Sequence, residues 1–167
     1  PVEIQLGLLW TIQNGYFDDV EVSKQLSDFL FELEVHSNTG RIHFWSIHDR
    51  SRNNKFVGLV GLGDELQTEH SDWNLGYWVC KGEQRKGIAK LAVNEVFSWL
   101  ESLNITVVIE ITVHPQNIAG LATCKSICEK WAGTRTTPNY WPVDIGNRSI
   151  PHVVYYVNLP RGGGATE

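Results

Sequence analysis

Residues 77–89, Tyr-Trp-Val-Cys-Lys-Gly-Glu-Gln-Arg-Lys-Gly-Ile-Ala, carry the most chemistry in this chain. An apolar strand pattern ends near Cys80, a polar loop turns, and a helical pattern begins with Gly87 in its first turn. The start of a helix exposes unpaired backbone N–H groups and a partial positive charge, so it can hold a phosphate. Gly87 lets a phosphate approach the backbone with no Cβ in the way. Lys81, Arg85, Lys86 and Lys90 concentrate positive charge in a chain whose net charge is −5. Anion binding here is therefore local, and the acidic balance argues against a general nucleic-acid binder.

Two familiar phosphate motifs do not apply. No Gly-x-x-x-x-Gly-Lys-Ser/Thr string occurs, and Gly58, Gly61 and Gly63 only mimic a dinucleotide fingerprint, since no helix pattern follows them. Cys124 and Cys128 stand four apart on a predicted helix, but no nearby His or Cys completes a metal set. They read as small apolar residues on one helix face, and no metal site is expected.

The elements that must position these residues follow from hydrophobic period. Strands are predicted over 41–48, 55–62, 73–80 and 105–113, the first two joined by the polar turn 49–54. Helices are predicted over 85–102 and 117–131, with Gly133 as the stop of the second. The first of these two turns Ile88, Leu91, Ala92, Val96, Trp99 and Leu100 one way. An earlier helix presents Val22, Leu26, Phe29, Leu30 and Leu33, and residues 152–159 read as part of a closing hairpin after a loop over 134–141. The order implies an α/β class, a mixed sheet with helices on both faces. The length, 167 residues, suits one domain over 1–160, with 161–167 as a flexible Gly-rich tail. No apolar run approaches the roughly 18 residues of a membrane span, and no basic-then-apolar leader opens the chain. With only three cysteines, this points to a reducing cytoplasm.

The string Gln84-Arg-Lys-Gly87-Ile-Ala89 fits Arg/Gln-x-x-Gly-x-Gly/Ala. Together with the strand 75–79, the hairpin ending at Leu62 and the run Ile109 to Asn117, it resembles the GNAT superfamily of N-acetyltransferases, most of all the RimJ/RimL-like branch that acetylates ribosomal-protein N-termini. The resemblance spans residues 41–159. It implies a central, mostly antiparallel sheet with one splayed parallel strand pair, between whose strands the pantetheine arm of acetyl-CoA inserts. Backbone groups of Trp78, Val79 and Cys80 would pair with that arm, and a backbone N–H near Val79 would polarise the thioester carbonyl. Residues Gln84, Arg85, Lys86, Gly87, Ile88 and Ala89 would hold the pyrophosphate, and Asn117 would contact the cofactor. No metal is implied.

The acid and base implied by the resemblance are altered in this chain. Where family members carry a Glu five residues before the Asn and a Tyr seven after it, Thr112 and Cys124 stand here. Glu110 lies on the same strand face as Thr112, so it is the expected base, acting through a water, and Cys124 occupies the position of the acid. Seven Trp residues are many for this length. Trp45 and Trp73 are expected to stack on the acceptor. Glu65, Glu69 and Asp72 form an acidic loop near the expected site, which suits a cationic amine.

The acceptor is a protein N-terminal amine or a small-molecule amine. A non-catalytic acyl-CoA-binding module of the same fold stands as the alternative, separated by whether CoA is released in the presence of amines. An RNA-binding sheet is disfavoured by the net charge and by the lack of an RNP-like string. Neither a membrane nor a nucleic-acid partner is expected. A homodimer through aromatics in 134–156 is a further possibility.

Overall fold

The computed structural model describes residues 24, 27–28, 31, 34–64, 68–136, 140–145 and 148–159. The described residues between 24 and 38 are helical. The stripe from Val22 to Leu33 and the tail 161–167 lie outside the described residues.

Seven strands and two helices follow: β1 (Ile42–Asp49), β2 (Lys55–Gly63), β3 (Trp73–Val79), α1 (Ile88–Ser102), β4 (Val107–Val113), α2 (Ile118–Trp131), β5 (Thr134–Arg135), β6 (Trp141–Ile145) and β7 (Arg148–Leu159). The sheet order is β1-β2-β3-β4-β7-β5, with β6 paired to β7. Among the described strands only β3 and β4 are parallel; the other described pairs are antiparallel. The β1–β2 turn closes where Asn53 and Asn54 take left-handed backbone, a conformation asparagine tolerates, and Asp49 caps the short turn by accepting from Ser51.

One sheet face carries Val60, Leu62, Leu75, Ile109, Ile111, Val113, Tyr155 and Val157 against α1 and α2. Val93, Phe97 and Leu100 of α1 and Ile127 of α2 are fully buried there. Phe97 meets Trp131 edge-to-face at 5.2 Å, and the Trp131 indole N–H donates to Asn94 Oδ1 at 2.7 Å. That polar bond inside an apolar layer locks the two helices in one register. Leu91, expected on the inner stripe, points outward and is 62% exposed. Val93 and Phe97 fill the inner face instead.

Helix α1 begins at Ile88, not Arg85, since Arg85 and Gly87 both hold positive φ (64° and 77°) and cannot continue a right-handed helix. Strand β4 begins at Val107 rather than 105, and the segment expected to be loop after α2 contains β5 and the start of β6. The end of α2 is set by Ala132, which takes the left-handed C-cap position ascribed to Gly133.

The parallel pair is held at one end only. Trp73 pairs with Ile109 and Asn74 with Glu110, and no further rung follows. Asp72 clasps this end from outside: its N–H donates to the Val108 carbonyl at 2.8 Å, and its carboxylate accepts from Val108 N–H at 2.7 Å. Glu110 is fully buried, and its carboxylate accepts from Thr68 Oγ1 (2.8 Å), Ser71 Oγ (2.7 Å) and Asn74 Nδ2 (3.0 Å). Removing the acceptor strands these donors. Glu110→Ala is expected to lower stability by about 3 kcal/mol in urea unfolding, with Glu110→Gln losing roughly half as much because it keeps one acceptor oxygen. A midpoint unchanged in the alanine variant would refute the clasp.

Candidate active site

Beyond Asn74 the strands part, and the C-terminal end of β3 faces a gap. Backbone groups alternate sides along a strand. Cys80 N–H donates to the Val57 carbonyl on the β2 side at 2.9 Å, so the N–H and carbonyl of Val79 turn toward the gap. The Val79 carbonyl is taken by Gln84 Nε2 at 3.1 Å. This bond folds the loop back over the strand end.

A cavity of about 480 Å³ opens there, lined by Tyr77, Trp78 and Val79 of β3, by the loop through Gly87, and by the first turns of both helices. A Cβ built on Gly87 would meet nothing within 4 Å, so its backbone borders open space, and its φ of 77° disfavours any other residue. No side chain caps α1. The N–H groups of Ile88, Ala89 and Lys90 therefore present the positive end of a 15-residue helix to the cavity. Asn117 caps α2 by accepting from Gly120 N–H at 2.9 Å. Gly120 is required at that contact, since a Cβ would lie 2.7 Å from Asn117 Nδ2 and 2.9 Å from Val113. Both helix starts thus converge on one cavity.

The loop is pinned from below by Glu83, a residue the sequence reading passed over. Its side chain is 5% exposed and holds three cations: Arg52 by two bonds (2.8 and 2.7 Å), Lys55 at 3.0 Å and Lys86 at 2.7 Å. Arg52 is also held by Asp49 at 2.6 Å. Hydrogen bonds from Arg52, Lys86 and Lys55 hold the Glu83 carboxyl far below its ordinary value of 4.5. Lys86 is therefore committed to the loop's own frame, whereas Arg85 and Lys90 line the cavity.

Gln84, Arg85, Gly87, Ile88, Ala89, Asn117, Trp78 and Val79 all border the cavity. Cys80 lies outside its lining, with its N–H spent on β2. Glu110 and Cys124 do not border it either. The same-face argument for Glu110 and Thr112 holds along β4, but the Glu110 oxygens face the 68–74 segment, where three donors occupy them. Cys124 is buried in the core, and burial pushes its thiol up to about 12. Trp45 and Trp73 form one aromatic cluster with His43 and Trp99, at ring distances of 5.3–6.0 Å, packed on the core. Trp73 opens β3, six residues or roughly 20 Å from the cavity end. In the acidic loop, Asp72 is spent on Val108, and Glu65 lies outside the described residues.

Missed altogether was Tyr77, whose hydroxyl lies 3.8 Å from Cys124 Sγ and whose ring borders the cavity. Burial first, then Cys124 beside it, pushes the phenol well above its ordinary range. The signal was faint: an aromatic at an inward strand position two residues before the loop. A larger cavity of about 690 Å³ lies on the other side of α2, bordered by Ile118, Leu121, Lys125, Cys128 and Tyr140. It touches neither the loop nor β3, and so lacks the helix-start geometry.

A parting parallel pair, a helix start with an open glycine and a cavity between them meet at one end of the sheet. Residues 11–127 match the sequence model of the acetyltransferase (GNAT) domain, and the chain belongs to that family of acetyl-CoA-dependent N-acetyltransferases. No curated protein sequence matches it. Among solved structures, RimJ of Mycobacterium smegmatis in complex with CoA-disulfide is similar at TM-score 0.63 and 18% identity, covering 89% of this chain and 68% of that one. The spermidine N-acetyltransferase of Vibrio cholerae in complex with CoA and spermine gives 0.60 and 15%, over 87% and 78%. The Microcin C7 self-immunity acetyltransferase MccE in complex with acetyl-CoA and AMP gives 0.65 and 16%, over 92% and 84%. These likenesses concern the fold.

The Glu83 frame has a testable pH signature. Its carboxyl titrates lower when folded than its ordinary 4.5, so its stabilisation is complete above pH 4.5 and is lost as pH falls toward the folded value. Glu83→Gln is expected to melt lower than the parent by a constant margin between about pH 5 and 7, narrowing in stronger acid. A margin equal at pH 3 and pH 7 in thermal unfolding would contradict this.

Proposed function

We propose that the cavity at the end of β3 seats acetyl-CoA, and that the acetyl group passes directly to the primary amine of a protein N-terminus or of a small molecule. The observation carrying this reading is the open backbone at Gly87, beside the uncapped start of α1 and the free side of β3. On this reading the N–H groups of 87–90 take the pyrophosphate, with Gln84 and Arg85 bordering it. The pantetheine amides pair with the backbone of Tyr77 in the gap. The Val79 N–H, turned toward the gap, polarises the thioester carbonyl and steadies its developing negative charge. Asn117 offers its amide to the arm.

The acceptor follows from what borders the cavity. Among its described lining residues, Glu83 is the one carboxylate and is held by three cations, and no imidazole is present. A site without a dedicated base favours an amine already neutral in part at physiological pH. An α-amine, with a pKa near ~8, satisfies this far better than a lysine side chain near ~10.4. That preference suits the RimJ/RimL-like branch, and on this reading the protein works in the cytoplasm. Glu110, on this reading, anchors the strand pair and takes no part in proton transfer.

Calorimetric titration of acetyl-CoA into the parent and Gly87→Glu tests the seat. The variant's carboxylate would occupy the phosphate position, and affinity should fall at least ~100-fold, about 2.7 kcal/mol. Equal affinities would remove the site. CoA release should then follow with peptide α-amines and be at least ~10-fold slower with lysine side-chain amines at pH 7.5. The reverse order would overturn the acceptor assignment, and binding without release to any amine would favour a non-catalytic acyl-CoA module.

A further inference from the structure

Transfer of an acetyl group from a thioester to an amine leaves a thiolate that needs a proton and a nitrogen that has one too many. Whatever supplies the first and removes the second must stand at the inner end of the cavity, where β3 meets α2. Of the titratable side chains bordering the cavity, Arg85 and Lys90 lie at the phosphate end and Glu83 is bound by its cations. Among the described residues Tyr77 is the remaining titratable side chain on the cavity wall, on β3 two residues from the Val79 backbone that turns to the gap. Its hydroxyl lies against α2, 3.8 Å from Cys124 Sγ, and Thr123 of the same helix also borders the cavity.

We propose that Tyr77 is the catalytic proton donor to the departing thiolate, and that its hydroxyl relays a proton from the acceptor nitrogen. This inference rests on the acetyl-CoA seat proposed above. The amine lone pair forms the C–N bond at the carbonyl carbon, the C–S bond breaks, and sulfur keeps its electron pair. Nitrogen and sulfur are bonded to the same carbon until that break, so one hydroxyl can touch both. The Tyr77 O–H passes its proton to sulfur as it accepts one from nitrogen, giving amide and free thiol with the phenol restored. No further reactant is consumed. Burial keeps the phenol protonated, so a free phenolate does not accumulate and the two transfers are coupled. Cys124 supplies packing beneath the hydroxyl: its thiol is raised by burial and it does not border the cavity.

The test is Tyr77→Phe, which keeps the ring and its packing. Acetyl-CoA affinity by calorimetry and the melting temperature should match the parent, while kcat for an α-amine peptide falls about 100-fold. The parent should also show a solvent deuterium isotope effect on kcat that the variant changes. A variant kcat within threefold of the parent overturns the proposal, as does a loss that appears equally in Kd and melting temperature, which marks a packing role. If the parent transfers acetyl to no amine, the transfer reading fails before Tyr77 is reached. If the parent is active and the variant equally so, only the assignment of Tyr77 fails.

Discussion

A parallel strand pair that stops pairing after two rungs is the constraint on which this structure depends. Backbone N–H and carbonyl groups are obligatory hydrogen-bonding groups, and leaving them unpaired inside a sheet is costly. The neighbours hold the parting strands in place. β3 is paired along its length with β2, and β4 with β7, so neither can drift across to close the gap. At the closed end, Asp72, Asn74 and Glu110 fix where the divergence begins. The outcome is an unpaired strand edge in the middle of a sheet, complementary to a ligand that carries amides of its own.

The second requirement is a place for the ligand's negative charge in an acidic chain. Surface lysines would supply this poorly, since exposed charges are screened by salt. Here the proposed anion seat is backbone: the start of α1 with no capping side chain, entered through a left-handed glycine. Such a loop would be mobile unless held. Glu83 holds it, and does so by drawing Arg52 and Lys55 from the β1–β2 turn, so the loop's frame reaches across the sheet to a hairpin 30 residues earlier. A buried carboxylate ringed by three cations leaves a net positive surround, which would favour the same anion as the helix start.

Local signals were legible in the sequence where period and chemistry agree. β2, β3, α2 and the phosphate loop fall within a residue or two of their patterns, because alternating or helical apolar spacing is decided by the sheet and helix faces they bury. The start of α1 was not legible, since a left-handed Arg85 is imposed by the loop's contacts and arginine carries no such preference. Side-chain partnerships across long separations were the least legible. Glu110 was correctly placed on one face of its strand, yet its donors come from residues 68–74, some 40 positions away. Tyr77 meets Cys124 across 47 positions. The tryptophans were conspicuous by number, and Trp45 and Trp73 pack with His43 and Trp99 against the core.

The two faces of β3 show how a short strand can serve structure and chemistry together. Leu75 and Tyr77 project to the helix-covered face, and Asn74 projects to the other, where it meets Glu110. The backbone between them runs from a clasped start to an open end within seven residues. The two strands are therefore tied to each other at the clasped start and make no rung with each other at the open end. A carboxylate at the open end would repel the phosphates and thiolate of the proposed substrate, whereas a neutral phenol does not. The placement of Glu110 at the clasp and Tyr77 toward the opening follows that electrostatic division, and it leaves the polarisation of a bound thioester to backbone N–H groups, which carry no charge to be titrated away.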